Sequence, residues 1–235
     1  MKISLIVPMY NEAAIIEQTA RTYHEYLSAH FPDHELIFVD DGSADGCGTK
    51  VQALALPYTR VIRYTPNQGK GNAVKTGMLA ATGDVRMFLD ADVAYGTDVI
   101  AQAAKLFVEH PEASMVIGSR PLHPEGYAGY TAVRKLVSKS YIKVLNVAGG
   151  FRLSDSQCGC KAYRGEAAQA IFSRTETKGF AFDFETILWA QKLGYQILEM
   201  PVTIINHRES KINVVRDTFK MLQELRQIKR RVKKG

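Results

Sequence analysis

Asp90 and Asp92 stand one residue apart at the end of an apolar run, Val85-Arg86-Met87-Phe88-Leu89. The run reads as a buried strand that delivers acid groups to its carboxyl end. Strand side chains alternate between faces, so the two carboxylates share a side where the chain is extended or turning. Such a pair suits a hard divalent cation, Mg2+ or Mn2+, which keeps some waters and completes its shell with phosphate oxygens. Asp is also common where strands give way to loops, so the neighbouring residues must decide between a metal and a helix cap. Those neighbours favour a phosphate. Gly69 and Gly71 let a backbone approach a ligand closely, Lys70 between them is placed to meet negative charge, and the following helix offers its positive end to an anion. The third glycine of a dinucleotide fingerprint is missing, with Val74-Lys75 in that region, which counts against a redox Rossmann enzyme.

These groups need elements to hold them. Ile3 to Val7 reads as a strand stopped by Pro8, and helical spacing follows from Asn11 to His30 through Ile15, Ile16, Thr19, Tyr23 and Leu27. Leu36-Ile37-Phe38-Val39 is a second strand. It runs into the acidic turn Asp40-Asp41-Gly42-Ser43-Ala44-Asp45-Gly46, and a helix follows up to Pro57. Val61 to Tyr64 is a third strand, Gly69 to Ala81 a helix and Val85 to Leu89 a fourth strand. Beyond them come a helix from Val99 to Glu109 and a strand from Ala113 to Ile117. This alternation predicts an α/β fold, a mostly parallel sheet with helices on both faces and ligands at the carboxyl ends of the strands. Pro8, the Asp40 turn, Asn67 to Gly71 and Asp90 all fall at those ends, which predicts one site made from four loops.

The blocks Val-Pro-Met-Tyr-Asn-Glu (7–12), Val-Asp-Asp-Gly-Ser-Ala-Asp-Gly (39–46), Asn-Gln-Gly-Lys-Gly-Asn-Ala-Val (67–74) and Asp-Ala-Asp (90–92) resemble the family 2 glycosyltransferases of the Rossmann-like GT-A fold. The resemblance implies a single domain over residues 1–211, with a nucleotide-sugar and metal half at 1–95 and an acceptor half at 96–211. It places Pro8, Tyr10, Asn11 and Glu12 along the nucleoside and Asp40 or Asp41 on the base. Gly69, Lys70, Gly71 and Asp90 then surround the diphosphate, and Asp90 and Asp92 hold Mg2+ or Mn2+. UDP-glucose is the favoured donor and GDP-mannose the alternative.

Later stretches narrow the resemblance to the polyprenyl-phosphate branch, the dolichyl-phosphate β-glucosyltransferases in particular. They are Gly118-Ser119-Arg120, Arg134, Asp155 to Tyr163, Gly179 to Glu185 and His207-Arg208-Glu209-Ser210-Lys211. That branch implies inverting transfer of a hexose to a polyprenyl phosphate, with Arg120 and Arg134 on the lipid phosphate and Arg208 and Lys211 beside the donor. A guanidinium fork suits phosphate because it binds two oxygens and stays charged; a structural ion pair is the other use of such an arginine. Asp183 and Glu185 would orient acceptor or sugar hydroxyls, or simply favour a helix start. A hydroxyl acceptor would need one of them as base. A non-catalytic binding or scaffold protein is the rival from another class. Two features depart from relatives: this sequence carries no transmembrane helix, and Ala94 stands where some mannosyl-transferring relatives have Gln, which weakens a mannose assignment.

The composition, 46% hydrophobic, is that of a folded chain, and no apolar run approaches the roughly 20 residues needed to span a bilayer. Cys47, Cys158 and Cys160 are an odd set with no second zinc-ligand pair nearby, so reduced packing thiols in a cytoplasmic setting are expected. The net charge of +6 equals the six cations Arg226, Lys229, Arg230, Arg231, Lys233 and Lys234 in the last ten residues. A neutral body with a basic end predicts contact with the cytoplasmic face of an anionic membrane. Nucleic acid is disfavoured by the lack of an aromatic-rich basic groove. Two segments fit the membrane reading. Tyr127 to Val147 sets Val133, Leu136, Val137, Tyr141 and Val144 beside Lys135, Lys139 and Lys143, and the basic amphipathic helix of residues 212–235 aligns Val215, Phe219, Leu222, Leu225, Ile228 and Val232. A membrane-protein partner or a homo-oligomer stays open.

Overall fold

A computed structural model describes residues 1–206 and 214–235, apart from the side chains of Arg134 and residues 214–223. Four strands, β1 (Ile3–Met9), β2 (His34–Asp41), β3 (Thr59–Tyr64) and β4 (Val85–Leu89), run parallel and alternate with α1 (Ile16–His30), α2 (Cys47–Ala53) and α3 (Lys70–Ala80). Next come α4 (Asp98–Glu109), β5 (Ala113–Ser119), α5 (Ala132–Gly149), β6 (Cys160–Arg164), α6 (Gly165–Arg174), α7 (Phe182–Lys192), β7 (Gln196–Pro201) and α8 (Val214–Lys234). The sheet order is β3-β2-β1-β4-β6-β5-β7. It is mostly parallel, as expected, but β6 is inserted antiparallel between β4 and β5. From the sequence alone, β6, α6, α7 and β7 are assigned no secondary structure.

Period-two alternation sorts the strand residues between two cores. Leu5 and Val7 join Ile16, Tyr23 and Phe107 on one face, while Ile6 joins Val74, Met78, Phe172 and Ile187 on the other. Three sequence expectations change. Pro8 does not stop β1, which continues to Met9; the β4 ladder has already ended at Ile6, so the proline lies where the strand has a partner on one side only. The helix expected from Asn11 begins at Ile16, because residues 12–15 form a turn closed by Glu12 carbonyl bonds to the amides of Ile15 and Ile16. Over the described side chains of α8, the apolar face is covered by the body: Leu225, Ile228 and Val232 are buried in the second core, and Lys192 Nζ donates to Val232 O at 2.6 Å, while Val215, Phe219 and Leu222 lie outside the described side chains.

On α5 the outcome is the reverse. Ile142 and Leu145 face inward, while Val133, Leu136 and Val147 lie 72%, 67% and 78% exposed, with Val137 and Val144 also exposed. All three cysteines are free and buried. No helix among the described residues is long and apolar enough to cross a membrane.

Candidate active site

The four loops at the carboxyl ends of β1, β2, β3 and β4 meet, and backbone amides and short polar side chains tie them together. Asn11 sits at φ 52°; its amide donates to Ser43 Oγ at 3.0 Å and its Oδ1 accepts from the Ala44 amide at 3.0 Å. Asp45 accepts from the Ala13 amide at 2.7 Å. Tyr10 beside them is exposed at the mouth, and Glu12 forms the following turn.

Both carboxylates of the Asp40-Asp41 pair are buried, and they do different things. Asp41 builds the glycine loop: it accepts from Asn67 Nδ2 and from the amides of Gln68 and Gly69, each at 2.8 Å. Its oxygens are thus used internally. Asp40 Oδ1 accepts from the Ser43 amide at 2.9 Å, and Oδ2 lies 3.3 Å from Arg63 Nε with no hydrogen bond of its own. Of the pair, Asp40 is the one with acceptor capacity left for a ligand N–H.

The glycine loop is held tightly. Gly69 has φ 101°, a conformation side chains resist, and a Cβ there would lie 2.6 Å from Lys178 O. At Gly71 a Cβ would meet Thr177 O at 2.6 Å and Gly179 O at 2.8 Å. Between them Lys70 reaches across to Asp90, Nζ to Oδ1 at 2.5 Å. The ammonium that the sequence assigned to a diphosphate therefore rests on a carboxylate assigned to the metal. Burial acts to lower Lys70 and is outweighed by Asp90 and Asp183, which hold it above its usual range.

Asp92 is pushed up by burial first and by the charge of Asp90 second. The loop bearing both acids is anchored from α1: Tyr23 Oη donates to Asp90 O at 3.0 Å and Thr19 Oγ1 to Ala91 O at 2.6 Å. Among the described residues no cluster of three or more metal-ligating side chains exists. Two carboxylates that repel each other and draw in a lysine fit a divalent ion held by one or two acids with substrate oxygens, and do not fit an all-protein cage.

Asp183 completes the acidic centre. Burial raises its carboxyl, while Lys161 and then Lys70 oppose the rise. Lys161, fully buried, spans Asp183 Oδ1 at 2.6 Å and Cys158 O at 2.7 Å. Glu185, two residues on, turns the other way. It accepts from the amides of Glu176 and Thr177 and from Arg231, with no exposed surface, which gives it a structural place rather than one facing substrate.

Arg120 also differs from expectation. Its fork closes on Asp155, Nε to Oδ2 at 2.6 Å and Nη2 to Oδ1 at 3.0 Å, while Nη1 donates to Tyr130 Oη at 2.9 Å. A side chain expected on a lipid phosphate thus has three of its five N–H donors engaged within the protein. The Arg134 side chain and both Arg208 and Lys211 lie outside the described residues. Arg63 was not singled out in the sequence, and Asp155 and Lys161 were named only within the stretch Asp155 to Tyr163, with no role; a lone lysine inside the buried strand β6 is the signal that could have marked Lys161.

Comparison with known proteins accords with this arrangement. A dolichyl-phosphate β-glucosyltransferase of Trichomonas vaginalis, ALG5C, is 31% identical over 90% of this chain and 66% of its own length. Glycosyltransferase AglD of Haloferax volcanii is 29% identical over 94% of this chain and 36% of its own. An undecaprenyl-phosphate mannosyltransferase of Micrococcus luteus is 28% identical over 91% and 88%. The chain spans about two thirds or less of the length of the first two. Glucosyl-3-phosphoglycerate synthase of Mycobacterium tuberculosis, crystallised with Mn2+, UDP and glucosyl-3-phosphoglycerate, shares the fold with a TM-score of 0.72 at 20% identity, over 95% of this chain and 79% of that one. The model of glycosyl transferase family 2 matches residues 4–172, from β1 through α6 and all four converging loops, and the chain belongs to that family.

Proposed function

We propose that this protein transfers a hexose, glucose in the first instance, from a nucleoside diphosphate sugar to a polyprenyl phosphate with inversion at the anomeric carbon. The observation that carries the reading is the convergence of the Asn11, Asp40, glycine and Asp90-Asp92 loops on one polar centre. Similarity to polyprenyl-phosphate sugar transferases over 90% or more of the chain supports the acceptor class. UDP-glucose is the donor proposed first, and Asp40 Oδ2 is the acceptor for its base.

Asp90 and Asp92 would hold Mg2+ or Mn2+, which supplies Lewis-acid stabilisation of the leaving diphosphate when bound. Lys70, which rests on Asp90, would meet the phosphate oxygens of the donor, trading one anion for another. A phosphate monoester has its second pKa near about 6, so the acceptor oxygen is largely ionised at neutral pH and needs no strong base. The clamp of Lys161 on Asp183 fits that, since it fixes the carboxylate in one place for orienting acceptor or sugar hydroxyls. The exposed apolar stripe of α5 and the basic surface of α8 are proposed to rest on the cytoplasmic face of a membrane.

Incubation with UDP-glucose or GDP-mannose, Mn2+ and either dolichyl or undecaprenyl phosphate, followed by product mass, tests the reading. A glucosyl-phosphoryl-polyprenol is expected. In a parallel incubation with a glycan and a glycolipid, glucose transferred only to their hydroxyls would replace it with the hydroxyl-acceptor reading.

A further inference from the structure

The glycine loop does not stand alone on its helix. Its second wall is the backbone of residues 175–179, which joins α6 to α7. Lys178 O accepts from the Asn72 amide at 3.2 Å, Lys178 Nζ donates to Gln68 Oε1 at 2.8 Å, and Thr175 O accepts from Lys75 Nζ at 2.6 Å. The carbonyls of Thr177, Lys178 and Gly179 lie where side chains at positions 69 and 71 would project. A shift of this wall would therefore reach Gly69, Lys70 and Gly71 by direct contact.

The wall in turn is held from the far end of the chain. Glu185 Oε2 accepts from the amides of Thr177 at 2.7 Å and Glu176 at 3.2 Å. Its other oxygen takes Arg231 Nη1 at 2.9 Å, and Arg231 Nε reaches Glu176 Oε2 at 2.9 Å. Glu185 is fully buried, so Arg231 is its cationic partner and fixes which way the carboxylate faces. Arg231 sits in α8 between the buried Ile228 and Val232, which set its depth.

We propose that Arg231 is a positioning residue for the donor diphosphate, acting through Glu185 and the 176–179 backbone on the Gly69-Lys70-Gly71 loop. One of the six terminal cations is thereby an internal part of the donor site and the others are surface charge. The inference rests on the donor reading above for the identity of the ligand, while the mechanical link stands on the contacts themselves.

The test uses the full chain with Arg231→Ala, Arg231→Lys and, as a control on the exposed face of the same helix, Gln227→Ala. UDP binding in Mn2+ is measured by calorimetry, and amide hydrogen exchange is followed over residues 67–72 and 176–179. Arg231→Ala should weaken UDP by roughly three- to tenfold, within the roughly two- to thirtyfold coupling carried by packed networks, and should speed exchange in both segments. Its KM for the nucleotide sugar should rise with the acceptor KM unchanged. Arg231→Lys keeps a charge for Glu185 but not the second arm to Glu176, and should fall between wild type and Arg231→Ala. If Arg231→Ala does not fold, Arg231→Lys decides by itself. Wild-type exchange at 67–72 and wild-type UDP affinity in the substituted protein, however far its Tm falls, would overturn the inference. A wild-type protein that binds neither UDP nor GDP would overturn the donor reading instead, and the exchange measurement would still decide the link.

Discussion

Asp92 carries a charge that the fold itself disfavours, since burial and Asp90 both oppose its ionisation. Asp92→Ala should therefore leave Tm unchanged or raise it. It should weaken UDP binding in Mn2+ by at least roughly tenfold, because even outer-shell partners of a metal are commonly worth that much. Wild-type affinity in calorimetry would remove Asp92 from the metal site. Arg120→Ala should behave differently. It strands the fully buried Asp155 carboxylate and should cost about 3–5 kcal/mol in chemical denaturation, an amount typical of half-broken buried pairs. An unchanged midpoint would show that Asp155 is not dependent on Arg120. The residues that sequence alone revealed lie in loops with their own local signature, Gly-Lys-Gly and Asp-Ala-Asp. The pairs it missed join positions 22 and 35 apart, Lys161 with Asp183 and Arg120 with Asp155, and no local period records such a meeting.

Among the elements, the start of β2 is fastened to the segment before β4 by Glu35. Burial works to raise this carboxyl, and hydrogen bonds from Ser4, Thr82 and Arg60 outweigh it, leaving it below the usual range. A carboxyl lowered in the folded state adds stability above its unfolded pKa, near about 4.3, and loses it as pH falls through the lower folded value. Glu35→Gln should thus destabilise by about 1–2 kcal/mol at pH 7, and Tm curves of the two proteins should converge towards pH 3. Parallel Tm curves would dissociate Glu35 from the acid transition. The first four strands were legible because each is a short apolar run with a turn after it. β6 was not, because Cys160-Lys161-Ala162-Tyr163 places a lysine inside a buried strand, where only a partner 22 residues later makes it tolerable. The face of α8 was legible as amphipathic but not as to what it covers, since an apolar stripe looks the same whether it meets lipid or α7.

At the scale of the whole molecule, charge and apolar surface divide between two helices. Deleting residues 226–235 would remove Ile228, Val232 and Arg231 from the interior, and should broaden or abolish cooperative unfolding before it says anything about membranes. A cleaner variant replaces the exposed Arg226, Lys229, Arg230, Lys233 and Lys234 by Gln. It should keep its unfolding free energy within about 1 kcal/mol of wild type and float less on anionic vesicles at low salt, where screening is weak. The salt-resistant part should follow α5 instead, falling in a Val133→Ser, Leu136→Ser, Val147→Ser triple variant. Equal flotation of both variants and wild type would show that neither helix meets lipid.

The antiparallel β6 also bears on how the chain is made. Until Cys160–Arg164 leaves the ribosome, β4 is paired with β1 alone, and its other edge, apolar but for Arg86, has nothing to bond with. At roughly 5–20 residues per second that exposure lasts several seconds, long enough for two nascent chains on one message to pair edge to edge. A holdase that binds extended apolar segments should therefore crosslink to Val85–Leu89 on stalled chains that stop short of β6 and release those that extend past α6.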